Sequence, residues 1–138
     1  MSAVELRVGI VGAGGVGGLG GRDNSHAGGY RRCPEADLVA VADINPQRLQ
    51  QFGDEWEVPN QHRYETAQAM YENAKLDIVS VTTHNFHHHQ PVIDAAEAGV
   101  KVILVEKPLA ISVELGRKMV ESCAEHGCRL IVDHTRRF

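Results

Sequence analysis

Residues 6–17 read LRVGIVGAGGVG, an apolar run that passes without a break into a glycine-rich turn. The run LRVGIV (6–11) is strand-like, and Gly12, Gly14 and Gly17 follow it with the spacing G-x-G-x-x-G. After a strand, that spacing permits a tight turn at the first glycine and approach of a pyrophosphate to the backbone at the second. The third lets the next helix pack closely on the strand, with its N-terminal N–H groups facing the phosphates. The stretch predicts a dinucleotide site cradled by Gly12, Gly14, Gly15, Val16 and Gly17. Residues 17–25, GGLGGRDNS, lengthen the passage to the next helix. Two readings stand: a flexible surface insertion, which the glycines favour, or a loop that closes over the diphosphate.

The rest of the chain repeats the alternation that this stretch begins. Further strand-like runs are DLVAVA (37–42), LDIVSVT (76–82), VKVILV (100–105) and CRLIVD (128–133), with a weak extended piece at 62–64. Helices are expected over 26–33, 46–55, 65–73, 88–98 and 112–126. Asn45–Pro46 is a cap followed by a first-turn proline, Gly99 and Gly127 are stop signals, and Ser112 is a cap. Strands that are apolar through their centres are covered on both faces. The expected fold is therefore α/β: a doubly wound, Rossmann-like parallel sheet in three α/β/α layers, with right-handed crossovers. All 138 residues fit one domain, 1–138, without a linker or repeat.

Composition narrows the class. Apolar residues make up 43% and charged residues 23%, as in an ordinary globular domain, and a net charge of −4 argues against nucleic-acid or membrane surfaces as partners. No apolar run reaches the roughly 18 residues of a membrane span, and the N-terminus lacks the basic start of a signal peptide. Three cysteines, Cys33, Cys123 and Cys128, form no framework and suit a reducing cytoplasm.

The chemically unusual residues follow directly after strands, and those positions share one edge of a parallel sheet. Asp43 follows the second run, where an acid accepts from adenosine ribose hydroxyls and repels a 2′-phosphate. The expected cofactor is NAD, with NADP the alternative because Arg48 is near; a helix-capping role is the rival reading of Asp43. Glu106-Lys107-Pro108 follows the fourth run, where a partly buried lysine serves as an acid–base group and Glu106 orients it. His84, His87, His88 and His89 cluster, but adjacent residues point apart, so 87–89 do not readily converge on one ion and the reading is that no metal is bound. Cys123 and Cys128 read as buried thiols of the last helix and strand. His88 and His134 are secondary pocket candidates, and Arg136 with Arg137 is an anion contact or a solvated pair.

Taken in order, GIVGAGGVG, HAGGYRRCPEADLVAVAD, VTTHNFHHHQPVIDAAEAGVKVILVEKPLA and LIVDHTRRF resemble the N-terminal domain of the Gfo/Idh/MocA oxidoreductases along essentially the entire chain. The resemblance implies hydride transfer between a nicotinamide cofactor and a sugar, cyclitol or related polyol. It matches Gly12, Gly14 and Gly17 to the dinucleotide loop and Asp43 to the ribose-binding acid. Thr83, His84 and Asn85 match a Thr-Pro-Asn-like turn near the cofactor, with His84 in place of proline. His88 matches the histidine that opens the next helix. Glu106, Lys107 and Pro108 match the EKP motif, with Lys107 catalytic and a cis bond often preceding the proline. Family members continue into a C-terminal domain that binds substrate, carries further catalytic residues and mediates oligomerisation. The expectation is thus an enzyme domain incomplete for turnover by itself, a fragment of a homo-oligomeric protein. A non-catalytic NAD-binding or regulatory module is the alternative.

Overall fold

The computed structural model describes residues 5–136; Arg137 and Phe138, and with them one of the two terminal arginines, lie outside the described residues. The chain runs β1 (Leu6–Val11), α1 (His26–Arg31), β2 (Ala36–Ala42), α2 (Pro46–Glu55), β3 (Arg63–Tyr64), α3 (Ala67–Asn73), β4 (Ile78–Val81), α4 (His89–Glu97), β5 (Val102–Glu106), α5 (Val113–Glu125) and β6 (Arg129–Asp133). Single 3₁₀ turns at Asn60–His62 and Asn85–His87 precede β3 and α4. All strand pairs are parallel, in the order β3-β2-β1-β4-β5-β6. The order reverses between β1 and β4, the place where an open parallel sheet forms a crevice at its carboxyl edge.

Alternation along the strands separates two cores. Ile10 and Val41 pack with Ala27, Leu49, Phe52 and Trp56 beneath α1 and α2. Val11 and Ala42 point the other way, into a layer with Met70, Val92, Ala96, Met119 and Cys123 from α3, α4 and α5. The doubly wound three-layer reading is what the chain adopts. Helix starts obey their caps: Asn45 accepts from the Arg48 amide at 3.0 Å and Ser112 from the Leu115 amide at 3.2 Å. Cys123 is buried, which pushes its thiol up to about 12, whereas Cys33 is exposed. No described helix is long and apolar enough to cross a membrane.

The amino edge of the sheet is pinned by Asp77. Its carboxylate accepts from the Arg7 amide of β1 at 3.0 Å and from Lys101 Nζ at 3.0 Å, and its carbonyl accepts from the Lys101 and Val102 amides, both at 3.1 Å. The Arg7 amide and then the Lys101 ammonium hold the carboxyl below the ordinary Asp value. A depressed carboxyl stabilises the fold above its unfolded pKa, and that contribution is lost as pH falls through the folded value. Asp77→Ala is expected to cost about 1 kcal/mol at neutral pH, the scale of one or two bonds to an ionised group near solvent. In urea titrations the gap to the unsubstituted chain should close on acidification; a gap unchanged at acid pH would mean that the carboxylate's charge does not pin the sheet.

Candidate dinucleotide site

The glycine turn leaves β1 at the reversal point and is braced from both neighbouring strands. Gly12 takes a φ of +99°, a conformation side-chain-bearing residues avoid, and a Cβ there would lie 2.7 Å from the Thr82 carbonyl carbon. Thr82, buried at the end of β4, donates from its hydroxyl to Gly12 O at 2.7 Å. From the other side Asp43 Oδ2 accepts from the Ala13 amide at 2.8 Å and Oδ1 from the Asn45 amide at 2.7 Å. The Asp43 side chain is 7% exposed, and Arg48 Nε stands 3.8 Å from it. A Cβ on Gly17 would collide with Gly12 O and come within 2.9 Å of Thr82 Oγ1, whereas one on Gly14 would meet nothing within 4 Å. The turn is thus closed on its protein side and open on its outer side.

Residues after the turn show what the long loop is. Gly18 and Leu19 amides donate to Gly14 O at 2.9 and 3.0 Å, beginning a helical turn. The chain then leaves, and His26 and Ala27 amides donate to Val16 O and Gly17 O at 3.1 and 2.9 Å, where a continuous helix would have residues 20 and 21. Residues 20–25 are therefore a six-residue excursion within one interrupted helix. Without them the distance in sequence from Gly17 to Asp43 is the roughly 20 residues usual for such sites. The excursion is anchored to the end of α2, where Glu55 accepts from Gly20 and Gly21 amides at 2.7 and 3.2 Å; just before it, Gly18 O accepts from Trp56 Nε1 at 2.8 Å. Arg22 turns back so that its guanidinium lies against Gly15. Residues 20–24 are exposed, as a surface insertion, with backbone anchored beside α2, and they form no lid over the turn; only the Arg22 side chain returns to it.

The open side of the turn forms part of a cleft of about 520 Å³ at the carboxyl edge, lined by Gly12, Gly14, Asp43, Ile44, Arg48, Thr83 and His84 among others. That size lies within the range of small-molecule sites. Phosphates suit the glycine side and ribose hydroxyls the Asp43 side, and Gly14 leaves the room a pyrophosphate needs, so the residues present fit a dinucleotide. Asn85 opens the 3₁₀ turn at its rim, and His84 stacks on Phe86 with ring centroids 5.2 Å apart.

A second opening lies across β4. Lys107 is exposed and lines a cleft of about 720 Å³ with His134, Thr135 and Arg136. The peptide between Lys107 and Pro108 is cis. Three expectations change here. Lys107 is not partly buried in this chain. Glu106 does not orient it by an ion pair; its carboxylate instead lies 3.0 Å from His26 Nε2. His88 does not line a pocket: it is 1% exposed, with Nδ1 2.8 Å from Pro108 O and Nε2 3.0 Å from Thr83 O. Both partners are carbonyl acceptors, so each bond is made by a ring N–H. His88 joins the Thr83 turn to the Lys107 turn rather than contacting a ligand itself.

The histidines of 84–89 do not converge. Among the described residues, the ligand-type groups that come together are His26, Glu106 and Asp133. Sequence reasoning passed over this trio and the residues behind it, Ser80 and Tyr30. Ser80 carried a signal, a lone hydroxyl inside the apolar run LDIVSV, and its partner is 54 positions away.

Fold and site together define a dinucleotide-binding domain of an oxidoreductase. The family profile described as "Oxidoreductase family, NAD-binding Rossmann fold" matches residues 6–134, and the chain belongs to this Gfo/Idh/MocA family. It is 34% identical over 138 residues to D-glucoside 3-dehydrogenase of Escherichia coli K12, covering the whole chain and 37% of that protein. It is 35% identical over 129 residues to 2,7-anhydro-N-acetylneuraminate hydratase of Mediterraneibacter gnavus, covering 94% of the chain and 31% of that protein. Among solved structures, scyllo-inositol dehydrogenase of Lactobacillus casei with bound NAD(H) and scyllo-inositol superposes with a TM-score of 0.83 at 25% identity, over 97% of this chain and 37% of that one. The chain thus spans about a third of the length of the relatives it matches.

The two glycines separate folding from binding. Gly14→Ala should leave thermal unfolding unchanged yet weaken NADH binding at least about tenfold, because its Cβ occupies space that only a ligand needs. Gly17→Ala should lower the melting temperature by several degrees, since backbone must move. Calorimetry and thermal melts check both; full NADH affinity in Gly14→Ala would remove the turn from the binding site.

Proposed function

We propose that this domain holds NAD in preference to NADP and serves reversible hydride transfer at a hydroxyl-bearing carbon of a sugar, cyclitol or related polyol. The observation that carries the reading is the placement of the glycine cradle and Lys107 on one sheet edge, at the ends of β1 and β5 with β4 between them. When bound, the nicotinamide group supplies or accepts the hydride. Gly12, Gly14, Gly15, Val16 and Gly17 hold the diphosphate, Asp43 the ribose, and Thr83, His84 and Asn85 border the cofactor. Lys107 exchanges a proton with the substrate hydroxyl. Glu106 and His88 act by holding the turn that carries it.

Sugar and cyclitol dehydrogenases among the relatives support the substrate class. The remaining wall of the Lys107 cleft, the polyol's specificity contacts and self-association as a homo-oligomer belong in this reading to a second domain, as the relatives' greater length supports. Three unpaired cysteines fit a cytoplasmic setting.

Two experiments test it. NADH should bind this chain at least about tenfold more tightly than NADPH, and Asp43→Ala should narrow that gap, since the carboxylate repels a 2′-phosphate. Equal affinities in the unsubstituted chain would contradict the Asp43 role. In the complete protein, Lys107→Ala should lower kcat on its polyol substrate by about 10²- to 10⁴-fold with unfolding unchanged. Undiminished turnover would remove Lys107 from the chemistry.

A further inference from the structure

His26 touches both parts of the carboxyl edge. Its backbone N–H donates to Val16 O at 3.1 Å and belongs to the frame of the glycine turn. Its ring reaches across the sheet: Nδ1 lies 2.9 Å from Ser80 Oγ on β4, and Nε2 lies 3.0 Å from Glu106 Oε1 on β5 and 3.5 Å from Asp133 Oδ2 on β6. Tyr30 Oη stands 2.7 Å behind Ser80 Oγ.

The hydrogens of this chain of groups follow from what each can donate. Ionised Glu106 and Asp133 only accept, so Nε2 carries a hydrogen directed at them. Nδ1 bonds Ser80, and Ser80 bonds Tyr30, whose phenol burial keeps protonated. Every buried group then makes a bond its chemistry allows. The same assignment satisfies His26 and Glu106 with no cation among them. It also separates the group from a hydrolytic triad: Ser80 is wholly buried and out of reach of any substrate.

We infer that His26 is a positioning residue that fixes the separation between the glycine cradle and the turn bearing Lys107. The inference rests on the reading of Lys107 as the acid–base group. Lys107 is exposed and makes no ion pair among the described residues, so its place depends on what holds its neighbours. Glu106 on one side is held by His26, and Pro108 on the other by His88. Cutting the first tether frees the turn on one side while leaving the backbone bond from His26 to the cradle in place.

His26→Gln and His26→Asn separate tethering from packing. Glutamine carries an amide N–H at about the reach of Nε2 and restores the bond to Glu106; asparagine is too short and reaches only the Ser80 side. In ¹⁵N spectra of this chain without cofactor, the unsubstituted His26 ring should show its hydrogen on Nε2. His26→Asn should displace the Lys107 amide resonance, and His26→Gln should return it close to its original position. ADP-ribose affinity should stay within about twofold in both variants. In turnover by the complete protein, His26→Asn should lower kcat about 10- to 100-fold, the scale of a small misplacement of a reacting group. The KM for the dinucleotide should hold, and His26→Gln should recover most of the loss. A Lys107 resonance unmoved in His26→Asn would overturn the inference, as would equal loss of ADP-ribose affinity in both variants, which would make His26 a packing residue. If the resonance moves as expected but Lys107→Ala keeps full turnover, the tether stands and the acid–base reading fails instead.

Discussion

The bond from the Ala13 amide to the Asp43 carboxylate, at 2.8 Å, ties the end of β2 to the turn that leaves β1. With Thr82 holding Gly12 O from β4, it fixes a loop in which only Ala13 packs a side chain into the core. The open outer side of Gly14, the cleft beside it and the direction in which the interrupted first helix departs all follow from that fixation. Asp43 therefore does two things at once. Its geometry braces the protein, and in the proposed function its charge disfavours a second phosphate on the neighbouring ribose. A substitution there is felt through the turn as well as, in that reading, through lost ribose contacts.

The six-residue excursion at 20–25 shows how such a turn tolerates insertion. The helix hydrogen-bond ladder resumes on Val16 and Gly17 carbonyls as though the excursion were absent, so the glycine turn keeps its shape. The inserted residues are absorbed at the end of α2, where Glu55 satisfies the Gly20 and Gly21 amides, while Trp56 bonds Gly18 O just before them. Ser25 then caps the resumed helix by accepting from the Gly28 amide at 3.1 Å. The resumed helix carries His26 in its first turn, so the excursion ends at the residue that links the cradle to the far side of the sheet.

What was legible in the sequence is what depends on local pattern. β1 and α2 fall on their expected residues, because an uninterrupted apolar run marks one and an Asn-Pro cap the other. LDIVSVT shortened to Ile78–Val81, since its first residues turn at Asp77 and its last is Thr82, spent on the glycine turn. Gly12 and Gly17 were readable because each meets a distinct backbone requirement of one turn. The buried chain through His26 was not, since Tyr30, Ser80, Glu106 and Asp133 stand on four elements and only the sheet order brings them together. Lys107 could be placed at a strand end from sequence, but its exposure could not, because that depends on what faces it across the cleft.

The central claim is that the braced glycine turn is the working cradle of a dinucleotide site within this chain. A ¹H–¹⁵N titration of the 138-residue chain with NADH tests it most directly. The account predicts saturable shifts at the amides of residues 12–17, accompanied by those of 43–45 and 82–84, with the amino edge around Asp77 undisturbed. Shifts absent from Gly14, Gly15 and Val16, or confined to the histidines of 87–89, would contradict it.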